Sequence, residues 1–297
     1  MGFCTQSVAN VLNGKIPSMK KLKILVFEYI TGGGLNKSEL PESLAREGLL
    51  MLQSLLDELS KLAYVEVGTM LDFRMVDKLP IQTDNTHLIE ANKDYYQELI
   101  RLMTFYDAVW PIAPESEGIL QTLCETVEQS GKILLTSPSS SVAIAGNKWL
   151  TYQCLRENSV ATIPTQRLVD FGYTSGEWII KPFDGVGCED SFLVTDKQGF
   201  DIQTAVLNKD KYLIQPHIQG EKTSLSCLFK DGQAWLLCAN LQHFELINKQ
   251  YRLTGITVNF ISDTSRFESL VKDVAKAMPE LWGYVGIDLI ETDAEVR

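Results

Sequence analysis

The chain has 297 residues, 45% hydrophobic and 22% charged, the balance of a globular protein with room for one large core or two to three smaller ones. Its 27 Lys and Arg face 38 Asp and Glu, a formal net charge of −11, and no segment gathers enough basic residues to follow a nucleic-acid backbone or an anionic membrane. Six cysteines without a C-x-x-C pair exclude the usual zinc and disulfide frameworks, and no apolar run approaches the ~18 residues of a membrane span, so a cytoplasmic protein with reduced thiols is expected.

Residues 1–18 show no periodicity and read as a disordered extension. From Met19 the pattern alternates strand and helix. "KILVFEY" (23–29) is a buried-type strand, "TGGG" (31–34) a turn, and 42–61 a helix with Leu52, Leu55, Leu56 and Leu59 on one face. Strands follow at 64–70, 107–114 and 132–138, separated by the helices "NKDYYQELIRLMTFY" and "GILQTLCETVEQSG". This βαβα order predicts a parallel sheet, an α/β layer ending near Pro138.

Beyond Pro138 a Ser-rich turn leads into a helix, and strands then predominate at 177–182, 190–195, 211–218, 222–229 and 234–240. One amphipathic helix, "SRFESLVKDVAKAM" (265–278), interrupts them before a last strand at 284–290. The second half therefore reads as α+β with antiparallel hairpins.

Two glycine-rich loops compete for a phosphate. "EYITGGG" lies between strand and helix, but Lys37 falls where a dinucleotide fingerprint wants its third glycine, which leaves a tight turn or a backbone nest for a small anion. Asp184-Gly-Val-Gly187 has strands on both sides and no helix after it, so it is a hairpin tip rather than a P-loop. Gly185 and Gly187 let the backbone close over phosphates, and Lys181 in the preceding strand is within reach of the same anion; an ordinary hairpin with a solvated lysine is the alternative.

The order "AGNKWLTY", "IIKPFDGVGCED", "LIQPHIQGEKTSLS", "GYVGIDLIETD" resembles the ATP-grasp superfamily of ligases, most closely its tyramine–glutamate ligase branch of methanofuran biosynthesis. "FEYITGGG", "LAREGLLM" and "APESEGIL" are similar to that branch too, so the resemblance runs from about Met19 to the C-terminus. It implies an ATP-grasp fold: a pre-ATP-grasp domain over 19–138, a linker helix and small antiparallel lid over 139–214, and a C-terminal antiparallel sheet domain over 215–297 that stops short. It further implies ATP and Mg²⁺ as cofactors, with an amino-acid carboxylate and an amine as substrates. A homodimer is one arrangement it admits.

On that resemblance Lys148 and Lys181 grip the nucleotide phosphates, with Asp184, Gly185 and Gly187 in the lid over them. Gln215, His217 and Ile218 form the hinge that reads adenine, where Pro216 keeps a carbonyl acceptor; Glu221 takes the ribose hydroxyls, and Asp288 ligates magnesium. The implied chemistry activates a carboxylate as an acyl phosphate for attack by an amine, and no Ser/His/Asp triad is needed or visible. No side chain is assigned as a catalytic acid, base or nucleophile.

Two departures support an alternative, a catalytically impaired nucleotide-binding protein or subunit. The family's "NRQ" strand reads Asn240-Leu241-Gln242, which removes an arginine expected to face the phosphates or the substrate carboxylate. The family's Glu-x-Asn-x-Arg segment is absent before Arg297, and Glu291, three residues along a strand from Asp288, points to the opposite face. An oxidoreductase on the N-terminal layer is the remaining reading, weakened by the broken glycine spacing.

Overall fold

The computed structural model describes residues 20–78, 83–185 and 190–292, so the expectations placed on residues 1–18 and on Gly187 lie outside the described residues. The chain divides into two compact units, Met1–Val109 and Trp110–Arg297. No described helix is long and apolar enough to cross a membrane.

In the first unit, β1 (Leu22–Glu28) is followed by a wide turn at Ile30–Gly34 and by α1 (Glu42–Ser60). β2 (Val65–Asp72), β3 (Asn85–Ile89) and α2 (Tyr95–Met103) complete it. The three strands are parallel in the order β3-β2-β1. The run Ile24–Phe27 is buried, with Leu52, Leu56 and Leu59 of α1 and Leu99, Leu102 and Met103 of α2 also in the core. Asp94 caps α2, its carboxylate accepting the N–H groups of Tyr96 and Gln97.

β1 leads into a turn that depends on glycine at Gly33, whose φ of 102° is in the left-handed region. The Glu28 carboxylate occupies the donors of this turn: Ile30 N–H at 3.1 Å, Thr31 N–H at 2.7 Å and the Thr31 hydroxyl at 2.6 Å. An internal carboxylate thus already holds two backbone N–H groups of this turn, those of Ile30 and Thr31.

β4 (Ala108–Ile112) runs across the junction of the two units. The second unit continues with α3 (Ile119–Gln129), β5 (Ile133–Leu134), α4 (Ser139–Ala145) and α5 (Lys148–Glu157). Next come β6 (Gln166–Arg167), β7 (Trp178–Pro182), β8 (Phe192–Val194), α6 (Lys197–Val206) and β9 (Tyr212–Pro216). β10 (Glu221–Lys230), β11 (Gln233–Ile247), β12 (Gln250–Ile261), α7 (Glu268–Ala277) and β13 (Gly283–Glu291) close it.

One eight-stranded sheet runs through this unit in the order β13-β10-β11-β12-β8-β7-β9-β6. Its described pairings are antiparallel. The large end packs Leu225, Cys227, Phe229, Ala239 and Leu289 against Val271, Val274 and Ala275 of α7. The small end has its own core of Leu168, Ile180, Val194, Phe200 and Ile214. Among the described residues the two ends are joined at one rung, Gln250↔Phe192, reinforced by Leu193 N–H donating to the Lys249 carbonyl at 2.7 Å.

Candidate active site

Asn147 fixes where α5 begins. Its side-chain oxygen accepts the N–H groups of Trp149 and Leu150 at 3.0 and 3.1 Å, so Lys148 becomes the first helical residue. The Lys148 N–H donates to the Phe183 carbonyl at 2.8 Å, and Phe183 N–H donates to the Lys211 carbonyl at 3.0 Å. The start of α5 is thereby pinned to the end of β7, and the Lys148 ammonium donates to the Gly185 carbonyl.

Asp184, one residue before Gly185, uses its carboxylate on another loop. It accepts the N–H of Glu117 at 3.1 Å, in a loop where Glu117 and Gly118 both have positive φ. That contact brings the loop carrying Glu115 beside the glycine tip. The end of α4 lies against the same loop at Gly146, where a Cβ would stand 3.4 Å from the Glu115 Cβ.

Asp288 supplies the floor. The rungs Ser224↔Asp288 and Ser224↔Asn240 place Asp288, Ser224, Asn240 and Gln242 on one face of the sheet, and Gln242 Nε2 donates to Asp288 Oδ1 at 3.0 Å. Asp288 keeps exposed surface, yet desolvation pushes its carboxyl above the ordinary value, against the Gln242 hydrogen bond and the positive charges of Lys181 and Lys148. Exposure together with desolvation describes the bottom of a concavity. Glu115 behaves alike: crowding raises it, Lys148 opposes the rise, and the Asp288 charge adds to it.

Lys148 from α5, Lys181 from β7, Asp288 from β13 and Glu115 from the loop after β4 thus share one electrostatic neighbourhood. Among the described residues no three His, Cys, Asp or Glu gather to hold a metal unaided. Two carboxylates beside two ammonium groups instead suit a hard cation that completes its shell with phosphate oxygens and water.

The hinge residues lie at the end of β9. Gln215 pairs with Ile179, and its side-chain amide donates to Thr165 Oγ1 at 2.8 Å. His217 donates its N–H to the Glu177 carbonyl at 2.9 Å; its side chain is 6% exposed, between the Glu177 carboxylate at 2.8 Å and the Tyr251 hydroxyl at 2.7 Å. Ile218 is half-buried. Glu221 is not brought onto the face of Asp288: the rungs Glu221↔Glu291 and Thr223↔Leu289 put it on the side that packs against α7, near Arg266.

Leu241 also lies on that far side, opposite Thr223, so an arginine at 241 would face α7 rather than Asp288; the expectation that its loss strips the phosphate site does not fit this register. Glu291 is on the α7 side as its spacing requires, accepting from Thr223 Oγ1 at 2.8 Å and pairing with Arg266 at 2.7 Å. Sequence reading passed over Glu115, Gln242, Lys222 and Tyr251. "APESEGIL" carried the only signal for Glu115; the others depend on register.

The sequence model of the ATP-grasp domain matches residues 145–297, and that of the pre ATP-grasp 3 domain matches 65–142. Tyramine–L-glutamate ligase of Methanocaldococcus jannaschii is 28% identical over 275 residues, covering 90% of this chain and 77% of the relative. The ligase of the same name from Methanocaldococcus fervens is 26% identical over 277 residues, covering 91% and 82%. A crystal structure of an ATP-grasp superfamily protein from Archaeoglobus fulgidus superposes with a TM-score of 0.67 at 24% identity, over 92% of this chain and 78% of that one. With the ATP-grasp match spanning more than half of its length, the chain belongs to the ATP-grasp family.

Proposed function

We propose that the protein is an ATP-dependent carboxylate–amine ligase, with tyramine and glutamate, the substrates named for its relatives, as the first pair to test. The observation that carries this reading is the meeting of Lys148 and Lys181, from separate elements, at Asp288 beside the Gly185 carbonyl. Two ammonium groups there offset about half of the roughly four negative charges of ATP in a chain of net charge −11.

Lys148 and Lys181 bind the phosphates, and the backbone around Gly185 covers them. Asp288 and Glu115 would hold magnesium, which when bound neutralises phosphate charge and orients the oxygens. The γ-phosphoryl group passes from ATP to a substrate carboxylate, leaving ADP; an amine then attacks the acyl carbon, phosphate departs, and the amine nitrogen loses a proton. Positioning and charge stabilisation carry both steps, consistent with a site of lysines and carboxylates without an activated nucleophile. The end of β9 faces the base, with backbone groups of Gln215–Ile218 as its polar contacts.

The test is phosphate release from ATP with mass detection of the amide. Release that requires both an amino acid and an amine, with product of the summed mass less water, supports the assignment. ATP binding without release across a broad panel of acids and amines refutes it.

A further inference from the structure

Lys222 of β10 lies on the face of the sheet that carries Asp288. The rungs Lys222↔Ile290 and Ser224↔Asp288 fix this, and put Lys222 two residues, about 7 Å, along β10 from Ser224 toward Gly220 and the hinge. Its ammonium donates to the Gly220 carbonyl at 3.1 Å and stands 5.6 Å from the centroid of the Tyr251 ring. Among the described residues it has no ion-pair partner, although 38 acidic residues are available in the chain. Burial alone lowers its pKa, as befits a half-buried ammonium with no counter-charge.

The platform beneath it is fixed. The Tyr251 hydroxyl meets His217 Nε2 at 2.7 Å, and His217 is clamped to Glu177 through both its side chain and its N–H. Three elements, β10, β12 and the end of β9, therefore converge to hold one cation on the hinge side of the Ser224↔Asp288 rung.

We propose that Lys222 binds the α-phosphate of the nucleotide, the anionic group lying between the base and the phosphates gripped by Lys148 and Lys181. This rests on the nucleotide reading above. It predicts a division of labour: Lys222 serves every adenine nucleotide that has a first phosphate, whereas Lys148 serves only those with the outer phosphates. In the free protein the Gly220 carbonyl and the Tyr251 ring hold the ammonium in place, so little side-chain freedom is lost when a phosphate oxygen arrives.

Competition against a fluorescent ATP analogue, with ATP, AMP and adenosine as competitors, separates the possibilities. Lys222→Met is expected to weaken ATP and AMP alike by about tenfold or more and to leave adenosine unchanged, with Lys222→Arg restoring most of the loss. Lys148→Met is expected to weaken ATP and spare AMP. The proposal is overturned if Lys222→Met, folded by thermal melt, binds AMP like the parent, or if adenosine weakens as much as AMP, which would reduce Lys222 to packing over Tyr251. A parent protein that binds none of the three competitors removes the nucleotide reading itself.

Discussion

Replacing Gly220 by alanine probes the link between the hinge and the large sheet. A Cβ at 220 would fall onto the Glu291 carbonyl oxygen, 2.6 Å from Ile290 Cγ2 and 3.1 Å from the Glu291 carbonyl carbon. The obstacle is the backbone of β13, so no rotamer change relieves it; the end of β10 must move away by about 1 Å to reach ordinary contact. That displacement costs about 1–3 kcal/mol as overpacking, and weakened hydrogen bonds at the rung Glu221↔Glu291 add about 1 kcal/mol. At roughly 2–4 °C per kcal/mol for a unit of this size, the melting temperature should fall by about 4–16 °C. The same shift moves the Gly220 carbonyl that holds Lys222, so ATP affinity should drop with it. Differential scanning calorimetry with and without ATP reads both quantities. Gly255→Ala is the control, since a Cβ at 255 meets nothing within 4 Å. A Gly220→Ala protein that melts and binds ATP like the parent would show that β10 and β13 are not packed as described.

Three further outcomes follow from the site. Lys148→Met and Lys181→Met should each weaken ATP by about ten- to hundredfold, and the double variant by less than the product because both act near one carboxylate; strict additivity in a competition assay would place them in separate sites. Asp288 has a raised folded-state pKa, so its contribution to stability is present below its ordinary 3.8 and is lost as pH rises through the folded value; Asp288→Asn should remove that part of the pH dependence of melting while abolishing turnover, and an unchanged melting-versus-pH curve would contradict the desolvated setting. Leu241→Arg should lower the melting temperature without tightening ATP binding, because residue 241 faces α7; a gain in ATP affinity would show the opposite face.

Much of the chain order was legible because buried strands and amphipathic helices impose a period on it. The apolar run of β1 and the leucine face of α1 were read within a residue, and α7 was read three residues early because a 3-10 turn at Ser265–Phe267 precedes it. The misses have physical causes. β3 is largely exposed and carries little apolar pattern, whereas β12 does alternate at Tyr251–Leu253 and Ile256–Phe260 and its period went unread; the arm it forms with the end of β11 has much of both faces exposed, so burial does not reinforce the pattern. α6 is short and contains Gly199; only its Asp196 cap, accepting Gly199 N–H at 2.7 Å, gave a local signal. The Ser-rich stretch read as a turn before one helix is itself a helix, α4, which ends before Gly146; the Asn147 cap then starts α5.

The site divides in the same way. Lys148, Lys181, Asp184, Gly185 and Asp288 carry motif signals, whereas the face a strand residue occupies follows only from its register. Glu221 and Lys222 are neighbours in sequence, yet the rungs send one toward α7 and the other toward Asp288. Glu115 is 173 positions from Asp288 in the chain and becomes its electrostatic neighbour only through folding.

The rung between Gln250 and Phe192, the one that joins the two ends of the sheet among the described residues, has a mechanical meaning. A cover hung on flexible linkers drifts in any direction, but one stitched to its base by a narrow backbone seam has a preferred axis: it twists about that seam, as a page does at its binding. The hairpin arm of β11 and β12 then serves as the spine, and admitting a bulky nucleotide would ask for torsion along the arm rather than for rupture of the sheet.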